Sequence, residues 1–351
     1  MTDAREPGRA GEGAAVPVLI RPGLWALTLP LPAAPGTVTV YVVESDAGPY
    51  LIDAGWDTDE CWSALVGGLA LLGTRVEDVR GIAVSHSHMD HYGLAPRIRE
   101  ASGAWVGLHP LDATELRHYR TDPAERLAAL LGRAGAPQDA MDAVLAEVGL
   151  HSGHRVGGPD VLIEDGQRPE IPGRELTAVW TPGHSPGHLC FWDARHRLLF
   201  AGDQVLARTV VAVQEPRRTG DDPLGRYLES LDRLELLEPA EVLPAHEERY
   251  TDLPGRLTQI RAYHAGRLSD TVAILARGPA TAWEIAGLLR KRGTLDGLRG
   301  FPLHATVSRA TSLLARLRAQ GLAQELPGPP AEWMLTDRGA QQLGRATVGR
   351  K

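Results

Sequence analysis

Cysteine is scarce in this sequence. The 351-residue chain has two, Cys61 and Cys190, which cannot build a disulfide framework and do not form a CxxC pair, so both read as buried thiols. Long apolar runs are missing as well: no stretch approaches the roughly 18 residues that cross a bilayer. The opening MTDAREPGRAGEGAAVP lacks the basic start and apolar core of a secretory signal. It reads as a flexible tail over residues 1–16. No short-period repeat is present, and the tail is the one low-complexity tract. These absences point to a cytoplasmic protein with no membrane partner. Hydrophobic residues at 43% and charged residues at 23% are globular values, which excludes disorder along the whole chain.

Charge is uneven. The net formal charge is −7, yet residues 270–351 carry twelve Lys and Arg against six Asp and Glu, a balance of +6 that leaves −13 for the rest. Such asymmetry can mark a nucleic-acid surface. The acidic bulk argues against general nucleic-acid binding by the whole chain.

Along the chain, strands are expected at 37–43 (TVTVYVV), 50–53 (YLID), 81–84 (GIAV) and 104–108, with helices at 61–72 and 94–100 between them. Residues 110–160 are Ala- and Leu-rich with helical periodicity and read as an insertion, a lid over whatever site exists. Strands resume at 175–180, 188–192, 197–201 and 241–243, with a helix at 224–237 and a long one from 253 into the 270s. A separate C-terminal part follows. TAWEIAGLLRKR has a Thr cap with Glu284 three residues on, a capping box. ATVSRATSLLARLRAQG is a helix ended by Gly. LAQEL and EWMLT flank PGPPA as a hairpin. Helices followed by two strands describe a winged helix over 266–351, beside a large α/β domain over 17–265.

The strongest chemical signal is Ser85-His86-Ser87-His88-Met89-Asp90-His91, directly after a buried strand. In extended chain, residues two apart point the same way, so His86 and His88 can close on one metal. Asp90 and His91 can turn toward a second metal alongside, and imidazole and carboxylate are ligands zinc accepts. The spacing is neither a zinc finger nor HExxH on a helix. Three further groups stand just past strand ends: His184 in LTAVWTPGH, Asp203 in RLLFAGD and His246 in EVLPAH. One such residue would be structural; three beside HxHxDH imply metal.

HSHMDH, TPGHSPGH, FAGDQ and PAH, in that order, resemble the metallo-β-lactamase superfamily over residues 17–265. The resemblance implies an αββα sandwich, α/β in class, with metals at one edge of two facing sheets. It implies that His86, His88 and His184 hold the first metal, that Asp90, His91 and His246 hold the second, and that Asp203 bridges both. It also implies that Asp53 of LIDAG supports the site from behind. His188 reads as another supporting group. Tyr92 offers packing or a substrate-facing hydroxyl. His109, His118, His151 and His154, in or near the insertion, are weaker substrate-contact candidates.

Two cations roughly 3.5–4 Å apart can share a water and lower its pKa toward 7, with Asp90 and Asp203 orienting it and moving protons. The expected activity is hydrolysis of a small-molecule ester, thioester or lactone, with two divalent metal ions, zinc foremost and iron or manganese as alternatives. A homodimer is an expected assembly. The winged-helix pattern and Arg309, Arg316 and Arg318 keep a nucleic-acid phosphodiesterase in view, and an iron-dependent, oxygen-using enzyme is the third reading.

Overall fold

The structure is a computed structural model that describes residues 13–32, 35–121, 123–148, 157–290 and 294–348. Its first sheet runs β1 (Val18–Arg21), β2 (Leu24–Pro30), β3 (Thr37–Val43), β4 (Tyr50–Ile52), β5 (Gly81–Ala83), β6 (Trp105–Leu108) and β7 (Val161–Leu162), each strand paired with the next. Pairing is antiparallel from β1 to β4 and parallel from β4 to β7. Helices α1 (Asp59–Leu71), α2 (Met89–Tyr92) and α3 (Ala95–Ser102) lie between these strands. The second sheet is ordered β11 (Glu241–Pro244), β10 (Leu198–Gly202), β9 (Leu189–Asp193), β8 (Leu176–Trp180). Because β9 is antiparallel to both neighbours and β10 is parallel to β11, the strands β8, β10 and β11 all point one way.

Alternation along the strands builds three cores. In β3, Tyr41 and Val43 face the second sheet, where they meet Phe191, Phe200 and Leu243. Val38, Val40 and Val42 face the other side and pack with Leu65 and Leu69 of α1 and Ile98 of α3. The second sheet repeats the pattern: Cys190, Leu199 and Val242 pack outward on α7 (Pro223–Glu235) and α8 (Leu253–Leu275) through Tyr227, Leu231 and Leu257. The inner strands β3–β5, β9 and β10 are covered on both faces, which is why they read as continuous apolar runs. The result is the expected αββα sandwich.

The insertion is helical: α4 (Pro110–Thr121), α5 (Pro123–Ala134) and α6 (Gln138–Val148). Its position differs from a free lid. Leu131, Ala134 and Val144 share one core with Leu275, Ile285, Val307, Leu314 and Trp333 of the C-terminal part. That part contains α9 (Ala282–Leu288), α10 (Gly300–Ala319) and α11 (Asp337–Val348). Its three-stranded sheet orders β12 (Ala280–Thr281), β14 (Glu332–Leu335) and β13 (Ala323–Leu326). The capping box is present, with Thr281 Oγ1 accepting from Glu284 N and Glu284 Oε2 accepting from Thr281 N. The hairpin pairs Ala323–Leu326 with Glu332–Leu335.

The boundary expected at 265/266 falls inside α8. That helix serves two cores, with Leu257 and Ile260 on the second sheet and Leu275 in the C-terminal core. Of the expected tail, residues 13–16 are described, and its end is anchored: Ala15 is buried and its N–H donates to the Ala64 carbonyl at 3.1 Å. No helix among the described residues is long and apolar enough to cross a membrane.

Candidate metal centre

The strand directions put every strand-end motif at one edge of the sandwich. Asp53 follows β4, the HSHMDH run follows β5, His184 follows β8, Asp203 follows β10 and His246 follows β11. Bonds between the sheets close this edge: Leu189 N to Ser85 O at 2.8 Å, Thr39 N to Ala245 O at 2.6 Å and Tyr41 Oη to Pro244 O at 2.7 Å. His88 has an extended backbone (φ −64°, ψ 148°). The single turn α2 then rotates Asp90 and His91 to the neighbouring position.

The structure brings all seven strand-end groups together. His86 Nε2 lies 2.8 Å from His88 Nδ1 and 3.2 Å from His184 Nε2, and His184 Nε2 lies 3.1 Å from His88 Nδ1. Beside this triad, His246 Nε2 is 3.2 Å and His91 Nε2 is 3.6 Å from Asp90 Oδ2. Asp203 stands between the two sets. Its Oδ1 is 3.4 Å from both His91 Nε2 and His246 Nε2, and its Oδ2 is 3.4 Å from His184 Nε2.

The outer nitrogens fix the tautomers. His184 Nδ1 donates to the Ala212 carbonyl at 2.8 Å and His246 Nδ1 to the Thr37 carbonyl at 2.7 Å, since a carbonyl can only accept. His91 Nδ1 donates to Asp53 Oδ2 at 2.9 Å. Ser85 Oγ gives its proton to Asp53 Oδ2 at 3.0 Å, so it accepts from His86 Nδ1 at 3.0 Å. In their neutral forms, His86, His91, His184 and His246 therefore each turn an Nε2 lone pair inward, and second partners of this kind orient metal-bound imidazoles. Asp53 reaches these groups from a left-handed backbone at φ 63°.

His188 is not part of the cluster of inward nitrogens. Its Nε2 accepts from Asp203 N at 3.1 Å and its Nδ1 donates to Thr181 Oγ1 at 2.9 Å, so it anchors the backbone of Asp203. Gly202 makes that approach possible: a Cβ there would sit 2.7 Å from His188 Nε2. Tyr92 is buried and donates its hydroxyl proton to the Gly157 carbonyl at 2.7 Å. His109 stacks on Trp180 with an interplanar angle of 3°. The side chain of His118 and residues His151 and His154 lie outside the described residues.

Electrostatics separate the two sets. Burial and the adjoining imidazoles push His86 well below its ordinary range and His88 down to about 3, so both are neutral. Burial also depresses His91, but the carboxylates of Asp90, Asp203 and Asp53 outweigh it and raise His91 to about 10. Asp90 and Asp203 are both held below the usual carboxylate range: burial opposes this, but His91 and His246 prevail. Without a cation the site thus draws positive charge as a proton on His91. His91 Nε2 and Asp203 Oδ1 are buried without a hydrogen-bond partner, and three imidazole nitrogens of the other set face one another. Polar atoms left unpaired at this burial are costly unless a cation sits among them. The donor set fits divalent metal, and His86–His88–His184, His86–His91–Asp203 and Asp90–His91–His246 are each close enough to hold an ion.

One supporting residue escapes sequence reasoning. Asp112, fully buried in the first turn of α4, accepts from Ser87 N at 2.8 Å, Ser185 Oγ at 2.7 Å and Gly187 N at 2.6 Å. It ties the HSHMDH loop to the TPGHSPGH loop. An Asp in a first helical turn is ordinary, so HPLDATEL carries no signal beyond helix initiation.

A two-sheet sandwich with an imidazole and carboxylate cluster at the ends of its strands defines a class of metal-dependent hydrolases. Residues 33–246 match the model of the Metallo-beta-lactamase superfamily, and the chain belongs to it. The chain is 29% identical over 271 residues to "Probable metallo-hydrolase YqjP" of Bacillus subtilis (strain 168), covering 74% of this chain and 82% of that protein. It is 36% identical over 115 residues to "Atrochrysone carboxyl ACP thioesterase AgnL7" of Paecilomyces divaricatus, covering 33% of this chain and 34% of that protein. The crystal structure of metallo-beta-lactamase family protein TTHA1429 from Thermus thermophilus superposes with a TM-score of 0.79 at 30% identity, covering 91% of this chain and 100% of that one. The uncovered tenth is smaller than the C-terminal part, so the likeness extends into it. This protein is a metal-dependent hydrolase.

Proposed function

We propose that the protein is a dinuclear hydrolase of a small-molecule ester, thioester or lactone, with zinc as the metal. The observation that carries the reading is the meeting of two ligand sets on the one carboxylate of Asp203. His86, His88 and His184 would hold one cation, Asp90, His91 and His246 the other, and Asp203 would serve both. A cation pair in such a site supplies a low-pKa water and a Lewis acid for an acyl oxygen. The chain's own groups do the rest. Asp90 and Asp203 are held ionised, the form that can accept a proton from the attacking water and return it to the leaving group. Asp53, His188 and Asp112 hold these ligands in place. The resemblance to a carboxyl ACP thioesterase across 115 residues favours acyl substrates.

Two of the three α10 arginines that favoured a nucleic-acid reading are engaged in internal ion pairs, and the third lies against an aromatic ring. Arg316 Nη1 bonds Asp222 Oδ2 at 2.7 Å, Arg318 Nη1 bonds Glu325 Oε2 at 3.2 Å and Arg309 lies 5.9 Å over the Tyr263 ring. We read residues 266–351 as a winged-helix-like unit that packs on the sandwich and the insertion. The test is a screen of metal-loaded protein against acyl thioesters, lactones and phosphodiesters. Chelator-sensitive turnover of a thioester or lactone is expected. Turnover of phosphodiesters alone would overturn the assignment.

A further inference from the structure

The chain between Asp203 and α7 passes the metal centre on one side and α10 on the other. Its Ala212 carbonyl receives His184 Nδ1–H at 2.8 Å, and Gln214 N donates to the Gly183 carbonyl at 2.9 Å. Residues 212–214 therefore grip the His184 turn at two points and set the tautomer of that imidazole. On its far side the same segment is held by one face of α10. Ser308, Ser312 and Arg316 recur at four-residue spacing, which aligns them on a helix. Ser308 Oγ donates to Glu215 Oε2 at 3.1 Å and Arg316 to Asp222, the N-cap of α7; the Ser312 hydroxyl lies 2.6 Å from the Gln214 carbonyl and 3.4 Å from that of Val213, with the Ser308 carbonyl of its own helix a competing acceptor at 2.8 Å. Ser312 is buried at 1% exposure, and its neighbour Leu313 packs with Val213 in the core under the second sheet. Ser308 Oγ meets only side chains, the half-buried Glu215 and His304 Nε2 at 3.3 Å, whereas Ser312 reaches backbone two residues from the carbonyl that orients His184.

We propose that Ser312 is a positioning residue for the metal centre, acting through residues 212–214 on His184, so that the C-terminal helix α10 is part of the hydrolase site's support. The inference rests on the metal reading above. It makes the C-terminal part a determinant of metal affinity rather than an appendage.

The test is zinc titration of metal-free full-length protein against a chelating indicator, for wild type, Ser312→Ala and Ser308→Ala. The His184 Nδ1–H resonance is followed in parallel by long-range 1H–15N NMR. A single hydrogen bond of this kind corresponds to about a 3- to 10-fold change, so Ser312→Ala should weaken one zinc step by that factor. It should also shift or broaden the His184 Nδ1–H signal. Ser308→Ala should do neither, although it removes a hydroxyl from the same helix face. Ser312→Cys, close in size and a weak donor, replaces Ser312→Ala if the alanine variant does not fold. Equal zinc affinity in Ser312→Ala (or Ser312→Cys) and wild type, or equal losses in Ser312→Ala and Ser308→Ala, would overturn the inference. Wild type that binds no zinc would instead overturn the metal reading itself, and the inference with it.

Discussion

Replacing Asp112 with Asn separates the support of one ligand set from that of the other. Three donors converge on this buried carboxylate: Ser87 N, Gly187 N and Ser185 Oγ. An Asn can present its oxygen to one side of that fork, but its amide nitrogen must face a donor on the other. Each buried donor left without an acceptor costs about 1–3 kcal/mol, and the Ser185 hydroxyl can rotate away, so about 2–4 kcal/mol in all is expected. At about 2 °C per kcal/mol for a chain of this size, the melting temperature should fall by about 4–8 °C. The effect on metal should be selective. Ser87 lies between His86 and His88, and Ser185 follows His184, so all three members of one set are loosened. His91 and His246 of the other set are steadied elsewhere, through Asp53 and Thr37. Loss of such partners typically costs 10- to 100-fold in metal affinity. Zinc titration of metal-free Asp112→Asn should show one step weakened by about that factor while the other stays within about threefold of wild type. Two wild-type steps, or two steps weakened equally, would refute the reasoning.

Two further predictions concern the metal-free protein and the C-terminal part. His91, raised to about 10, carries a proton at neutral pH and must lose it to ligate, whereas His88, at about 3, is already neutral. Zinc uptake at pH 7.5 should therefore release protons, and apparent affinity should climb with pH toward about 10; an indicator-dye titration showing no proton release would contradict the assignment of His91. Removal of residues 276–351 should expose Leu131, Ala134 and Val144, because these insertion residues are covered by the C-terminal core. Hydrogen exchange in α5 and α6 should then accelerate relative to β3, and unchanged protection there would show that the insertion folds without that cover.

The αββα architecture was legible because its inner strands have both faces covered and its helices separate them in sequence. The seven strand-end groups stood out for a local reason: four of them crowd into the HSHMDH run after a buried strand, and His184, Asp203 and His246 each stand just past the end of another apolar strand. What the sequence hid was long-range. Asp112 looks like any acid in a first helical turn; only the fold places it 2.8 Å from Ser87 N. The strands β1 and β2 escaped notice, although Leu27 and Leu29 are fully buried, because VLIRPGLWALTLP follows a polar tail and is punctuated by Pro and Gly. The shared core of the insertion and the C-terminal part was invisible too. It is made by Leu131, Val144 and Trp333, residues far apart in the chain whose helical and strand patterns would look the same packed on any apolar partner. The boundary expected at 266 has no local mark in the structure, since α8 runs through it from Leu253 to Leu275 without a break.

The central claim is that seven side chains from four strand ends hold two cations around Asp203. Anomalous diffraction at the zinc edge from crystals of the metal-loaded protein tests it directly. Two peaks are predicted, one bounded by His86 Nε2, His88 Nδ1 and His184 Nε2 and one bounded by Asp90, His91 and His246, with Asp203 between them. A hydrolytically active crystal form with no peak at either position would contradict it.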